Sequence, residues 1–350
     1  MTKDDDAELR SRYQDSRRSL EKGDLQRARQ SLEDLLSEDP RAQLRAEVLH
    51  ALGVARHGLG DVPGAIEALE AGEALQDHVE DAEARGRLLA NLGAAYLAAE
   101  QPEKAEAAYR GGLVRLEKAG VDARVLAQGW RGLGRAHLAL GGLVHERRAV
   151  ESHGRSLEIF EADGDRSEMA VSLNLMGHAS LARYKWSEAL GSFRQALALW
   201  EGLRDRRGMA VASNGMGRTF YEKEDYEPAR KYFEQDLAHS RAAKDTAGVA
   251  RALIDLGRAY AALRSWKEAG QAYDEALAIR RGMGDRRGEA LVHWARAHMA
   301  FSREDRDGAV SEMESAVSIL RELGNRDLQR AERHLSRMRR ERPGPWRRYL

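Results

Sequence analysis

Apolar side chains in this chain keep a helical period, as in Met209, Val211, Met216 and Phe220, and polar residues fill the positions between them. No segment alternates with period two, so the sequence predicts helices and no strands. The helical segments come in pairs, and the pairs repeat. Asp165, Asp205, Asp245, Asp285 and Asn325 stand 40 residues apart, as do Ala149, Ala189, Ala229, Ala269 and Ala309; Ala65 and Ala105 keep the same step upstream. A third series, Gly53, Gly93, Gly134, Gly177, Gly217, Gly257 and Ala295, has intervals of 40, 41, 43, 40, 40 and 38. A fixed period of this length marks a stacked array of supersecondary units.

Each unit reads as helix, turn, helix. The Asp that opens the first helix can accept from free N–H groups of its first turn. Pro63, Pro102 and Pro228 fall where the second helix should begin, where a missing N–H does least harm. The small residue of the first helix predicts a close crossing, with the Ala of the second helix opposite it. Tyr109, Phe193, Phe233 and Tyr273 then fill the space beside the crossing, and Trp186, Tyr226 and Trp266 hold the turn.

These residues resemble a known family. Leu256-Gly257-Arg258-Ala259-Tyr260, Trp266-Lys267-Glu268-Ala269, Tyr273 and Ala276-Leu277 together resemble the tetratricopeptide signature, and Trp130 stands four before Gly134, where that signature has its Trp. The resemblance spans residues 41–323 as seven repeats. A divergent hairpin at 7–38 and a capping helix at 326–341 extend it, between an acidic disordered start (1–6) and a basic tail (342–350). It implies an all-α, right-handed α-solenoid of about eight helix pairs. The long repeat is similar to those of the LGN/Pins adaptor and the peptide-sensing Rap regulators, in which a groove takes up a peptide or protein segment. The letter after the small residue is never the Asn of LGN, so the LGN partners do not carry over. Two steps are long: Gly134 to Ala149 is 15 residues and Ala295 to Ala309 is 14, against the usual 12, and both predict longer turns.

Specificity belongs to the letters that change. In the array the first helices line the concave side, and the residue after the small one points into it. This predicts a file of Arg135, His178, Arg218, Arg258 and Arg296, with Asn174 and Asn214 one turn earlier to bond a ligand's backbone. Helices packed about 8–10 Å apart would meet an extended chain, advancing about 3.3 Å per residue, at every third residue. Guanidinium forks suit carboxylates, so the expected ligand is an acidic, extended protein or peptide segment. Glu222, Asp255 and Glu289 are the internal carboxylates that could neutralise the file. Glu47, His50, Asn91 and Arg131 give the other end a mixed surface.

Composition narrows the classes. The 350 residues carry 57 Lys+Arg against 57 Asp+Glu and no Cys, so disulfides and thiolate metal sites are excluded. Zero net charge gives no whole-chain reason for nucleic acid, no apolar run approaches the roughly 18–20 residues of a membrane span, and the acidic start lacks a secretory pattern. A cytoplasmic location is the expectation. Residues 326–350 hold nine Arg against three acids, about +6, and the tail with Trp346 and Tyr349 is the one feature that suits an anionic surface or nucleic acid. Gly132-Leu-Gly134-Arg-Ala-His137 lacks the last glycine of a dinucleotide loop and sits inside a helix. The pairs His50/His57 and His145/His153 lack a third ligand at metal spacing, and His137 and His298 replace aromatics such as Tyr96 and Tyr260, so no metal, cofactor or catalytic site is expected. The sequence therefore predicts a non-enzymatic adaptor. The alternatives are a Rap-like peptide sensor that changes curvature, or an anionic-surface binder acting through its tail.

Overall fold

A computed structural model describes residues 3–75, 81–325 and 327–341. Among them are seventeen helices and no strand: α1 (Lys3–Glu21), α2 (Leu25–Ser37), α3 (Ala42–Gly58), α4 (Val62–Ala74), α5 (Ala82–Ala98), α6 (Pro102–Ala119), α7 (Ala123–Leu140), α8 (Leu143–Asp163), α9 (Arg166–Ala182), α10 (Trp186–Leu203), α11 (Arg206–Glu222), α12 (Tyr226–Ala242), α13 (Thr246–Ala262), α14 (Trp266–Gly282), α15 (Arg286–Ser302), α16 (Arg306–Glu322) and α17 (Leu328–Arg340). The fold is an α-solenoid. It divides into two compact units, residues 1–184 with α1–α9 and 185–350 with α10–α17. In each unit an odd-numbered helix packs on its even-numbered neighbours and also touches the next odd-numbered helix, as in α3–α5–α7–α9 and α11–α13–α15. The odd helices thus form one layer and the even helices another.

The repeated aspartates do what their positions imply. Asp165, Asp205, Asp245 and Asp285 each accept from backbone N–H groups two or three residues on. The helices end as regularly: after α12, Lys244 takes φ 54°, its N–H donates to Arg241 O, and Asp245 N–H reaches back to Ser240 O at 3.0 Å. That pair of bonds resolves the last carbonyls of the preceding helix. The same left-handed turn recurs at Glu100, Tyr184, Arg204, Glu224, Arg264 and Glu304.

The close crossing exists, with a different occupant from the one expected. A Cβ on Gly257 would stand 2.5 Å from Tyr273 Cε1, one on Gly217 2.6 Å from Phe233 Cδ1, and one on Gly134 2.4 Å from His153 Cε1. The glycine therefore makes room for the ring of the second helix, and not for its Ala. Ala229 and Ala269 are fully buried beside these rings.

Four expectations are corrected. Helix α1 begins at Lys3, so residues 3–6 belong to the first helix pair. The three extra residues between Gly134 and Ala149 do not lengthen a loop: α8 starts at Leu143 and runs 21 residues, so they add nearly one turn to its front. No insertion follows α15. That helix spans Arg286–Ser302, forty residues beyond Thr246–Ala262 of α13, so Ala297 takes the position that Gly257 has in α13. Ala297 is 0% exposed while Ala295 is half-buried. The stretch HWARAHMA offers three alanines and no Leu-Gly pair, so burial and not sequence singles out Ala297 as the crossing residue. In consequence Arg296 does not share the register of Arg258; His298 does. The basic tail 342–350 lies outside the described residues.

Candidate functional site

The odd-helix layer of the first unit contains His50, Asn91, Arg131, Arg135, Asn174 and His178. His50 on α3 and Asn91 on α5 are joined side chain to side chain at 2.8 Å. Burial pushes the His50 imidazole down to about 4, with Arg87 and Arg17 adding to the effect, so it is neutral near pH 7. Arg131 on α7 pairs with Glu168 on α9 and lies 5.3 Å from the centre of the Phe160 ring. Asn174 is buried, and His178 is half-buried. Arg135 is different: it is exposed and has no ion-pair partner among the described residues. With Gln128, Arg131, Val171 and Leu175 it borders a depression of about 380 Å³ between α7 and α9.

The odd-helix layer of the second unit holds Asn214, Arg218, Arg258 and Arg296. Asn214, 6% exposed, donates from Nδ2 to Asp236 Oδ2 at 3.0 Å and to Asp255 Oδ2 at 2.9 Å. Asp236 is fully buried on α12; it also accepts from Ser240 at 3.0 Å and from Arg251 at 3.1 and 3.3 Å. Burial raises its carboxyl to about 6, against the pull of Arg251, Ser240 and Asn214. Arg258 lies 3.5 Å from Asp255 and 5.2 Å from the centre of the Tyr221 ring. Arg296 pairs with Asp274 and stands 3.4 Å from Glu312. Arg218 alone of these is exposed with no ion-pair partner among the described residues.

The expected file thus separates into two kinds of residue. Arg131, Arg258, Arg296 and Asn214 bind carboxylates of the chain itself, and Asn214 has no amide proton left for a ligand. Arg135 and Arg218 each follow a crossing glycine and keep a free guanidinium. The compensated residues have a structural use. His50 and Asn214 stand three before their crossing glycines, and Asn91 and Asp255 two before theirs, so each pair stitches one inner helix to the next. A spacing of 41 between polar residues, as in 50/91 and 214/255, was the available signal. Sequence reading also missed the cluster of Glu106, His137 and His145, because its members belong to three helices and one is on the added turn of α8. No helix among the described residues is long and apolar enough to cross a membrane.

The tetratricopeptide repeat family model matches residues 168–242 and 208–282. No curated protein matches the sequence. Among solved structures, a Rap protein complexed with competence and sporulation factor has a TM-score of 0.61 at 13% identity, over 95% of this chain and 98% of that one. The apo form of RapI has a TM-score of 0.64 at 14% identity over 80% and 98%. The apo quorum sensor NprR from B. thuringiensis has 0.59 at 12% identity over 95% and 99%. Repeat period, capped helix pairs and family match agree that residues 168–282 are tetratricopeptide repeats, within a chain that has the α-solenoid fold of these solved structures.

Proposed function

We propose that this protein is a non-enzymatic adaptor whose inner helices bind an extended, acidic segment of another protein or a peptide. The observation that carries this reading is the pair Arg135 and Arg218. Both are exposed, both occupy the same register on an inner helix, and neither is neutralised by the chain, whereas the other arginines nearby are. An exposed guanidinium with five donors and no internal acceptor is suited to a ligand carboxylate. The depression beside Arg135 adds apolar surface from Val171 and Leu175 for a neighbouring side chain. The solved Rap neighbour complexed with competence and sporulation factor supports a peptide-sensing version of the same reading. In that version the ligand alters the links between inner helices, such as Asn214–Asp255.

The test is selection from a display library of random short peptides on the full chain. Enriched sequences should be rich in Asp and Glu, and their binding should weaken with salt, as ion pairing at an exposed surface must. Arg135→Glu should lose acidic peptides bound by the first unit and Arg218→Glu those bound by the second, each while keeping the fold. Enrichment with no acidic bias, or equal binding by both variants, would discard the reading.

A further inference from the structure

The structure assigns a site for a divalent transition metal ion, of which Zn²⁺ is the representative, to Glu106, His137 and His145. One ligand atom from each of the three lies within 4.8 Å of the other two. They come from the front of α6, the end of α7 and the front of α8, so the site gathers three helix ends of the first unit. His145 reaches it because α8 carries almost a full turn more than the other even helices. The three residues that enlarge this repeat bring an imidazole to the other two ligands.

The donor atoms are prepared for a ligand in a way that hydrogen bonding inside the chain does not explain. His137 is 4% exposed, and its Nε2 is buried without a hydrogen-bond partner; His145 Nδ1 is buried and equally orphaned. A buried polar atom left unpaired is costly and uncommon. The tautomer of His137 turns on its other nitrogen. Ser152 has one hydroxyl proton and donates it to Arg148 O at 2.8 Å. The 3.4 Å contact between Ser152 Oγ and His137 Nδ1 is then a hydrogen bond when Nδ1 carries the proton, the tautomer a metal at Nε2 requires. In that tautomer Nε2 offers its lone pair to an ion lying between it and Glu106 Oε1, which stands 3.4 Å away. A ligating imidazole held at its far nitrogen by a hydrogen bond is the usual arrangement around a metal.

The geometry needs only a modest contraction. Tetrahedral ligands at about 2.0–2.1 Å from the ion stand about 3.3 Å apart. Glu106 and His145 are only half-buried and have room to close. Glu106 Oε1 also receives Arg110, whose side chain is 60% exposed. That surface pair is weak competition for a dication, and Oε2 makes no hydrogen bond among the described residues. Two imidazoles and one carboxylate favour Zn²⁺ and its neighbours over Mg²⁺ or Ca²⁺. Three protein ligands leave a fourth position for water. The ion would tie the lengthened front of α8 to the preceding repeat.

The experiment uses the full chain, freed of metal with a chelator and titrated with Zn²⁺ by calorimetry and with Co²⁺ by visible absorption. One ion per chain should bind, with the intense visible bands of four-coordinate Co²⁺ and a higher Tm in the loaded protein. His145→Ala, on the outer turn of α8, should weaken Zn²⁺ binding at least tenfold. His137→Phe should do the same, and it keeps the fold because Phe220 fills the equivalent place on α11. Ser152→Ala should weaken binding by about tenfold through the lost orientation of His137. Absence of saturable one-to-one binding would overturn the proposal. So would binding that survives His145→Ala unchanged, since the ion would then sit elsewhere.

Discussion

Gly257→Ala probes the packing on which the array depends. The added methyl would lie 2.5 Å from Tyr273 Cε1 and 2.8 Å from Cδ1. Ordinary carbon contacts are about 3.5–4.0 Å, so the overlap is about 1 Å. The ring cannot turn aside, because Tyr273 is 1% exposed and enclosed by Phe233, Leu253, Leu256 and Ala269. Overpacking of this kind costs about 1–3 kcal/mol, and the rigidity of the ring places it near the top. Alanine recovers about 1 kcal/mol of helix propensity. The net expectation is a loss of about 2 kcal/mol, or about 4–8 °C in the Tm of a unit of this size. Gly270→Ala in the next helix is the control. Nothing lies within 4 Å of its added Cβ, so it should gain about 0.5–1 kcal/mol. In a Tyr273→Ala background, with the ring absent, Gly257→Ala should turn from harmful to neutral or mildly stabilising. Urea and thermal unfolding of the four variants measure all of this. If Gly257→Ala matches wild type, or the Tyr273→Ala background leaves its effect unchanged, the steric argument fails.

His153 occupies the ring position under Gly134, and both of its nitrogens are buried without partners. Burial, with Arg131, Arg135, His137 and His178 nearby, depresses it to about 3. Its folded value lies below the unfolded value of about 6.5, so the unfolded chain takes up the proton first. Stability present above pH 6.5 should fall as pH drops toward 3, by up to about 1.4 kcal/mol per pH unit. His153→Phe should flatten that slope and stabilise the protein at pH 7 by about 1–2 kcal/mol, read by urea unfolding at several pH values. Asn214→Ala should destabilise by about 1–3 kcal/mol, since Asp236 and Asp255 lose a shared donor; an unchanged urea midpoint would refute the internal role given to Asn214. Lys244→Gly relieves a left-handed residue at a helix end and should stabilise by about 0.5–1 kcal/mol in thermal unfolding.

Different parts of this molecule were legible in the sequence for different physical reasons. Helix pairing was open to inspection because Asp caps, small crossing residues and rings recur at one period, and each has a local cause. The last repeat misled because it replaces the Leu-Gly pair by a run of alanines, and a crossing alanine looks like any other. The extra residues before Ala149 were visible, but a chain does not reveal whether added residues extend a loop or a helix. The arginine file was legible as a register and not as a surface. Whether Arg258 faces a ligand or Asp255 depends on the neighbouring helix, which the register of one helix does not contain. Glu106, His137 and His145 were hidden for the same reason, since their nearness is a property of three helix ends.

The measurement that bears most directly on the account is the affinity of one selected acidic peptide for wild type and for three charge-reversal variants, at low and moderate salt. Arg135→Glu should lower affinity at least tenfold for a peptide held by the first unit, and Arg218→Glu for one held by the second, with a reduced salt dependence and no change in Tm beyond that of a surface substitution. Arg258→Glu should instead lower the Tm, because it sets a second carboxylate beside Asp255. Peptide affinity indifferent to Arg135 and Arg218 would contradict the division of the inner arginines into free and internally bound.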